Sequence, residues 1–135
     1  MRFVAIYLAT AVPFLLIDLV WLKMMGELMY RPTLGDILLP EPRLWPAAVF
    51  YLLYPLGLIG FAVVPAYQDE GLVRALVLGL MFGFFTYATY DLTNQATLRN
   101  WSSLLTITDV VWGSVLAACC ACSGYIVADR LLQTP

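Results

Sequence analysis

Three aspartates stand in long apolar segments of this sequence: Asp18, Asp91 and Asp109. If those segments lie in a bilayer, a charged side chain near a helix centre costs roughly 2.5–3.5 kcal/mol, so its presence needs a physical reason. Neighbouring carboxylates in a dry site can share a proton and act as general acid and base. They can also bind a hard cation through oxygen ligands, or carry protons for a small transporter. All three chemistries fit these residues, which we take as the candidate catalytic positions.

The positions of the three aspartates agree with one another. Asp18 is near the end of the first apolar segment, Asp91 is near the end of the third, and Asp109 is near the start of the fourth. Because successive spans run in opposite directions, all three aspartates lie towards the same membrane face, whichever way the protein is inserted. Asp18 comes five residues before Lys23, which places it ~7.5 Å deep at 1.5 Å per residue.

Small residues recur every four positions before one of these aspartates and after another. The third segment has Ala75, Gly79, Gly83, Tyr87 and Asp91, and the fourth has Asp109, Gly113, Ala117 and Ala121. Residues four apart share a helix face, and small residues let membrane helices approach closely. The two stripes therefore predict an antiparallel contact between the third and fourth segments, with both aspartates turned into the bundle.

Aromatic, hydroxyl and amide side chains surround the aspartates in sequence, and we expect them to form the binding part of the site. Asp18 and Asp109 each precede a tryptophan by three positions, which places acid and indole on one helix face. The predicted binding residues are Trp21, Tyr87, Tyr90, Thr93, Asn94, Thr97 and Trp112. Lys23 and Arg99 are the nearest cations in sequence. A purely structural interpretation is equally open, because hydrogen bonds from these groups to buried carboxylates would lock membrane helices together.

The amino-acid composition is that of an integral membrane protein. The chain has 135 residues, of which 62% are hydrophobic and only 12% are charged, and its mean hydropathy is +0.85. The net charge of −2 argues against nucleic acid as a partner, and the absence of histidine removes histidine metal sites and Ser-His triads. The pattern assigns no particular metal and no particular cofactor. The cysteines, Cys119, Cys120 and Cys122, lie in one apolar stretch as small packing residues.

Four segments are long enough to span a bilayer, at about residues 3–22, 46–66, 73–94 and 104–128. They predict an all-α, polytopic membrane protein: a single domain, 1–135, built as a four-transmembrane-helix bundle. The first segment is longer than the apolar region of a signal peptide. We expect residues 23–45 to form a loop with a short interfacial helix near 34–39, and Pro55 to kink the second span.

Charge asymmetry between the loops is weak. One face would hold Arg2, Arg74 and Arg130, and the other would hold Lys23, Arg31, Arg43 and Arg99. This is close to a tie under the positive-inside rule. Arg2 ahead of the first span favours cytoplasmic termini.

Several motifs resemble one known family. They include Asp18-Leu-Val-Trp21, Pro46-Ala-Ala-Val-Phe-Tyr51, Tyr87-Ala-Thr-Tyr-Asp-Leu-Thr-Asn94 and Asp109-Val-Val-Trp-Gly113. Together they resemble the bacterial membrane-protein family called domain of unknown function 2177, over nearly the whole chain. The resemblance implies a four-helix fold in a bacterial inner membrane and assigns no activity or catalytic residue. Genes of this family are often found near those of lipid-modifying enzymes, which implies a connection with lipids.

The sequence thus predicts a small inner-membrane protein with an aspartate-centred polar site, accessory to lipid metabolism. One alternative is a membrane-lipid-modifying enzyme that uses the three aspartates, and another is a small proton-coupled transporter. Membrane lipids are the expected partners, together with a second copy of the chain or another membrane protein.

Overall fold

The computed structural model describes residues 1–69 and 71–132, and this part of the chain is built from four long helices. They are α1 (Arg2–Ile37), α2 (Leu44–Gln68), α3 (Leu72–Thr97) and α4 (Ser103–Leu132). All four are long and apolar enough to cross a membrane, and none of the described residues lies in a strand. The predicted all-α fold with four transmembrane helices is confirmed.

Helix α1 extends well beyond the predicted span. Its α-helical part, Arg2–Met25, continues through a π turn at Gly26–Tyr30, an α turn at Arg31–Leu34 and a 3₁₀ turn at Gly35–Ile37. The prediction of a loop from Lys23 with a separate interfacial helix near 34–39 is therefore wrong, because helical hydrogen bonding continues past Lys23. The last α turn ends at Leu34, where the following Gly35 adopts a φ of +56°, which a glycine reaches without steric cost.

Helix α2 is also irregular. It is α-helical over Leu44–Leu58, changes to a π turn at Ile59–Val63 and returns to α-helix at Val64–Gln68. Pro55, which we expected to kink this span, lies just before the π turn. Proline lacks the N–H that would bond to the carbonyl four residues earlier. Pro55 therefore leaves the carbonyl of Tyr51 without that bond, and Pro65, just after the π turn, leaves that of Phe61 within it.

The contact between α3 and α4 follows the two predicted stripes. A Cβ on Gly79 would lie only 2.7 Å from the Cβ of Ala121, and one on Gly83 would collide with the carbonyl oxygen of Gly113. A Cβ on Gly113 would in turn collide with the ring of Tyr87. The predicted antiparallel packing through small residues is thus confirmed, since no larger side chain fits at these positions.

Helix α4 lies at the centre of the bundle, and most of its residues that face α1 and α3 are buried. It runs antiparallel to α1, since the Ser123 hydroxyl donates to the Ala9 carbonyl oxygen at 2.7 Å near one end, and Trp112 contacts Asp18 nearer the other. Large apolar side chains such as Phe61 and Val73 are exposed on the outside. Exposed residues of this kind suit a surface that is solvated by lipid.

Candidate functional site at the aspartate end

Asp18 joins three helices. Its side chain is 5% exposed and points from α1 towards α2 and α4. The Tyr51 hydroxyl donates to Asp18 Oδ2 at 2.7 Å, and the Trp112 indole N–H donates to Asp18 Oδ1 at 3.1 Å. Each carboxylate oxygen therefore has a neutral donor, one from α2 and one from α4.

Asp109 is held by the irregular end of α1. The Tyr30 hydroxyl, in the π turn, donates to Asp109 Oδ1 at 2.6 Å, and it accepts a hydrogen bond from the Trp21 indole N–H at 2.9 Å. Asp109 is 7% exposed, and no described residue donates to its Oδ2. Tyr30 is the last residue of the π turn, so this turn sets the direction from which its hydroxyl reaches Asp109.

The two Asp-x-x-Trp motifs pair crosswise between α1 and α4. Trp112 of one motif donates to Asp18 of the other, while Trp21 reaches Asp109 through Tyr30. The two indole rings stack face to face, with centroids 4.1 Å apart and an angle of 6° between their planes. The stacked rings thus join Asp18 and Asp109, each with its hydrogen-bond donors, into one assembly.

Asp91 occupies a different position. It is fully buried, and neither of its carboxylate oxygens has a hydrogen-bond partner among the described residues. The α3–α4 register that pairs Gly83 with Ala117 and Tyr87 with Gly113 places Asp91 opposite Asp109 on the next turn. Asp91 thus lies at the same end of the bundle as the other two aspartates, inside the helix interface and outside their hydrogen-bonded assembly.

A cavity of about 720 Å³ opens beside Asp18 and Asp109. Its wall is dominated by aromatic rings, namely Trp21, Tyr30, Phe50, Tyr51, Tyr54, Tyr87, Tyr90, Trp101 and Trp112. Phe14 is buried behind this wall and stacks on Tyr54 with the ring centroids 4.7 Å apart. Leucines and prolines from the end of α1, the connection to α2 and the start of α2 also contribute to the lining.

The structure brings only some of the predicted binding residues to this cavity. Trp21, Tyr87, Tyr90 and Trp112 line it. Thr93 and Thr97 are exposed, and their hydroxyls donate to backbone carbonyl oxygens of their own helix at 2.6 and 2.9 Å. Asn94 is half-buried and does not line the cavity. Threonines on a membrane helix commonly satisfy their hydroxyls in this way, which sequence proximity to Asp91 does not reveal.

Sequence reasoning missed the two tyrosines that bind the carboxylates, Tyr30 and Tyr51. Tyr30 falls in the region predicted as a loop, and Tyr51 lies on a helix whose apolar pattern does not single out one face. Pro46-Ala-Ala-Val-Phe-Tyr51 was among the family motifs, and this was the available signal for Tyr51.

A second missed network joins Gln95, Thr106 and Trp101, in which Thr106 donates to Gln95 at 2.8 Å and Trp101 donates to Thr106 at 3.0 Å.

The basic residue that lines the cavity differs from those nearest to the aspartates in sequence. Lys23 and Arg99 are exposed, and no ion pair joins any described basic residue to the three aspartates. The one basic residue among those lining the cavity is Arg31, whose Nε lies 3.1 Å from Glu27 Oε1. Both side chains of this pair are largely exposed, at 56% and 77%. The described partners of Asp18 and Asp109 are therefore neutral donors.

These features define a small polytopic membrane protein with four apolar helices and, at one end, a largely apolar, aromatic-walled cavity that contains two carboxylates. The family model described as "Predicted membrane protein (DUF2177)" matches residues 3–126, so the chain belongs to that family. No curated protein and no solved structure matches the chain.

Proposed function

We propose that this protein binds one amphiphilic molecule of the membrane in the cavity at the aspartate end and serves lipid metabolism by doing so. The polar part of the ligand would lie against Asp18 and Asp109, and its apolar part would lie along the aromatic wall. The single observation that carries the proposal is the cavity itself, about 720 Å³ in volume, with two buried carboxylates set in an apolar lining.

The size and lining of the cavity support binding rather than a purely structural lock. Sites for small molecules have volumes of roughly 300–1,000 Å³ and combine mostly apolar walls with a few convergent polar groups. A lock that served only to hold helices together would be expected to close over its hydrogen bonds, since voids in a packed interior lose van der Waals contacts. Here the helices leave space beside their hydrogen bonds.

The position of the cavity favours a ligand that is partly apolar. Leu38, Leu39 and Pro42, which follow the end of α1, contribute to its lining and are exposed. Apolar residues at the end of a spanning helix lie close to the depth of lipid head groups. A molecule with a polar head and an apolar body could therefore enter from the bilayer and keep its body in contact with apolar surface throughout.

A matched pair of alanine variants tests the proposal. Ala47 is half-buried and lines the cavity, while Ala48 is exposed and does not. Ala47→Phe should fill the cavity, and Ala48→Phe should add the same ring on the outer surface. The protein, purified from its native membrane in a mild detergent, should carry one bound amphiphile in native mass spectrometry. That mass should persist in Ala48→Phe and disappear in Ala47→Phe.

Two results would count against binding. The proposal is wrong if the wild-type protein carries no bound amphiphile in native mass spectrometry. It is also wrong if Ala47→Phe and Ala48→Phe retain the amphiphile equally. Lipid mass profiles of a deletion strain provide a separate readout. A product that accumulates only in the presence of the gene would show that the ligand is also transformed.

A further inference from the structure

We infer that the head of the bound amphiphile carries a positively charged nitrogen, as in an alkylammonium group. This inference rests on the proposed binding function and names the chemistry of the ligand. It stands on the charge and the surface of the cavity described above.

The charges that face the cavity are unbalanced. Asp18 and Asp109 both line it, and the donors that reach them are the hydroxyl and indole groups of Tyr51, Trp112 and Tyr30. Arg31 is the one basic residue among the described lining residues, and its side chain is 56% exposed and lies on Glu27, so the lining keeps an excess of negative charge. Burying carboxylates without a cation is costly in a membrane, and a cationic ligand would supply the missing partner.

The carboxylates retain capacity to accept further hydrogen bonds. An ionised carboxylate has about four acceptor positions, and Asp18 uses one on each oxygen. Asp109 is more than nine-tenths buried and lines the cavity, and no described residue donates to its Oδ2. This oxygen is therefore available to an N–H donor or to a nearby quaternary nitrogen.

The aromatic wall suits the same charge. The face of an indole or phenol ring attracts cations, and cages of such rings are a recurrent means of binding alkylammonium groups. Tyr51, Tyr54 and Tyr87 line the cavity together with the two carboxylates, and Tyr54 and Tyr87 meet edge to face with centroids 6.4 Å apart. An anionic head would meet two carboxylates and the negative faces of the rings, so the cavity should discriminate against it.

Tryptophan fluorescence can report binding directly. Three of the four tryptophans, Trp21, Trp101 and Trp112, line the cavity, while Trp45 does not and is 72% exposed. In a Trp45→Phe background, every remaining indole is a cavity reporter. Titration in maltoside micelles would compare dodecyltrimethylammonium, neutral N-dodecylacetamide and anionic dodecyl phosphate, which share one chain length.

The cation should bind at least about tenfold more tightly than the neutral probe, and the anion should bind least. Asp18→Asn should remove most of that preference, because it lowers the affinity for the cationic probe far more than the affinity for the neutral probe. Asp69→Asn is the control for loss of one charge, because Asp69 lies at the opposite end of the bundle and is half exposed. The comparison of probes needs no substitution at an aspartate, so the inference can be tested even if Asp18→Asn fails to fold.

The outcomes separate this inference from the binding function. If the cationic and neutral probes bind with equal affinity, and Ala47→Phe abolishes the binding of both, the inference of a cationic head is wrong. The cavity then remains a binding site. Failure of every probe to bind would overturn both. Competition by phosphatidylethanolamine but not phosphatidylglycerol would assign the nitrogen to a phospholipid head. Competition by dodecylammonium alone would assign it to a single-chain amine.

Discussion

The two ends of the bundle are built from the same four helices but pack in opposite ways. At the end that holds Met1 and Leu132, α4 meets its neighbours through small side chains. There Gly124 lies directly against Thr10, and Ala66, Ala75 and Ala128 are almost fully buried. At the aspartate end, α1, α2 and α4 meet through carboxylates and aromatic rings, and a cavity remains between them.

This difference has a simple physical origin. Lipid gives helices no hydrophobic reason to associate, so small residues bring backbones together to gain van der Waals contact. Large rings with directional hydrogen bonds hold backbones apart at distances that suit the bonds. At one end the helices are therefore packed closely through small residues. At the other end, aromatic rings and their hydrogen bonds keep the helices farther apart. Variants that add bulk should act mainly at the first kind of interface, and variants that remove acceptors should act mainly at the second.

The largest effect should come from adding bulk to the close α3–α4 contact. Gly83→Leu would drive a side chain into the backbone of Gly113 and should lower the free energy of unfolding by about 3 kcal/mol or more. Gly60 is the matched control, since it is exposed and a Cβ added there would have no neighbouring atom within 4 Å. Gly60→Leu should change stability little. Equal thermal stability of the two variants in detergent would contradict the closed interface.

Removal of the Asp18 carboxylate should have the next largest effect. Asp18→Ala leaves the Tyr51 hydroxyl and the Trp112 indole N–H without their acceptor, at a cost of about 2–4 kcal/mol. At the opposite end, Asp69 pairs with Arg74 at 2.8 Å, but both side chains are about half exposed. Asp69→Ala should therefore cost no more than about 0.5 kcal/mol. Chemical denaturation of both variants measures the contrast, and a similar cost at both ends would refute it.

Replacing the two aspartates of the α3–α4 interface by asparagine should change the unfolding free energy in opposite directions. Asp109→Asn weakens a short charge-assisted hydrogen bond from Tyr30 and should destabilise the fold by about 1 kcal/mol. Asp91→Asn breaks no described hydrogen bond, and it removes a carboxyl group that is fully buried without a partner among the described residues. Its unfolding free energy should equal or exceed that of the wild type. A loss above about 1 kcal/mol would mean that Asp91 has a stabilising role.

The smallest effect concerns two glycines near the cavity. Neither Gly26 nor Gly35 has an atom within 4 Å of an added Cβ. Gly35 has a φ of +56°, so Gly35→Ala should cost about 1 kcal/mol. Gly26 has helical angles, with φ −53° and ψ −50°, so Gly26→Ala should be neutral or stabilise by up to about 1 kcal/mol. Opposite signs in thermal unfolding would confirm that α1 ends through backbone conformation.

Local patterns in the sequence were sufficient for the helices and for one interface. Twenty-residue apolar runs require spanning helices, because backbone groups in lipid must bond within their own segment. The four-residue recurrence of Gly79, Gly83 and Tyr87 also identified the face of α3 that meets α4. A periodic pattern of side-chain size translates directly into a contact between straight, regular helices.

What the sequence alone determined is thus the membrane-spanning fold, the shared end of the three aspartates and the α3–α4 stripe. Only the tertiary structure showed that Tyr30 and Tyr51 bind Asp109 and Asp18, that Asp91 has no described partner and that a cavity lies between the helices. The contact of Tyr30 depends on a π turn, which shifts side chains around the helix axis without a distinct sequence pattern. The cavity depends on how several large rings from different helices pack together, and no single segment encodes that arrangement.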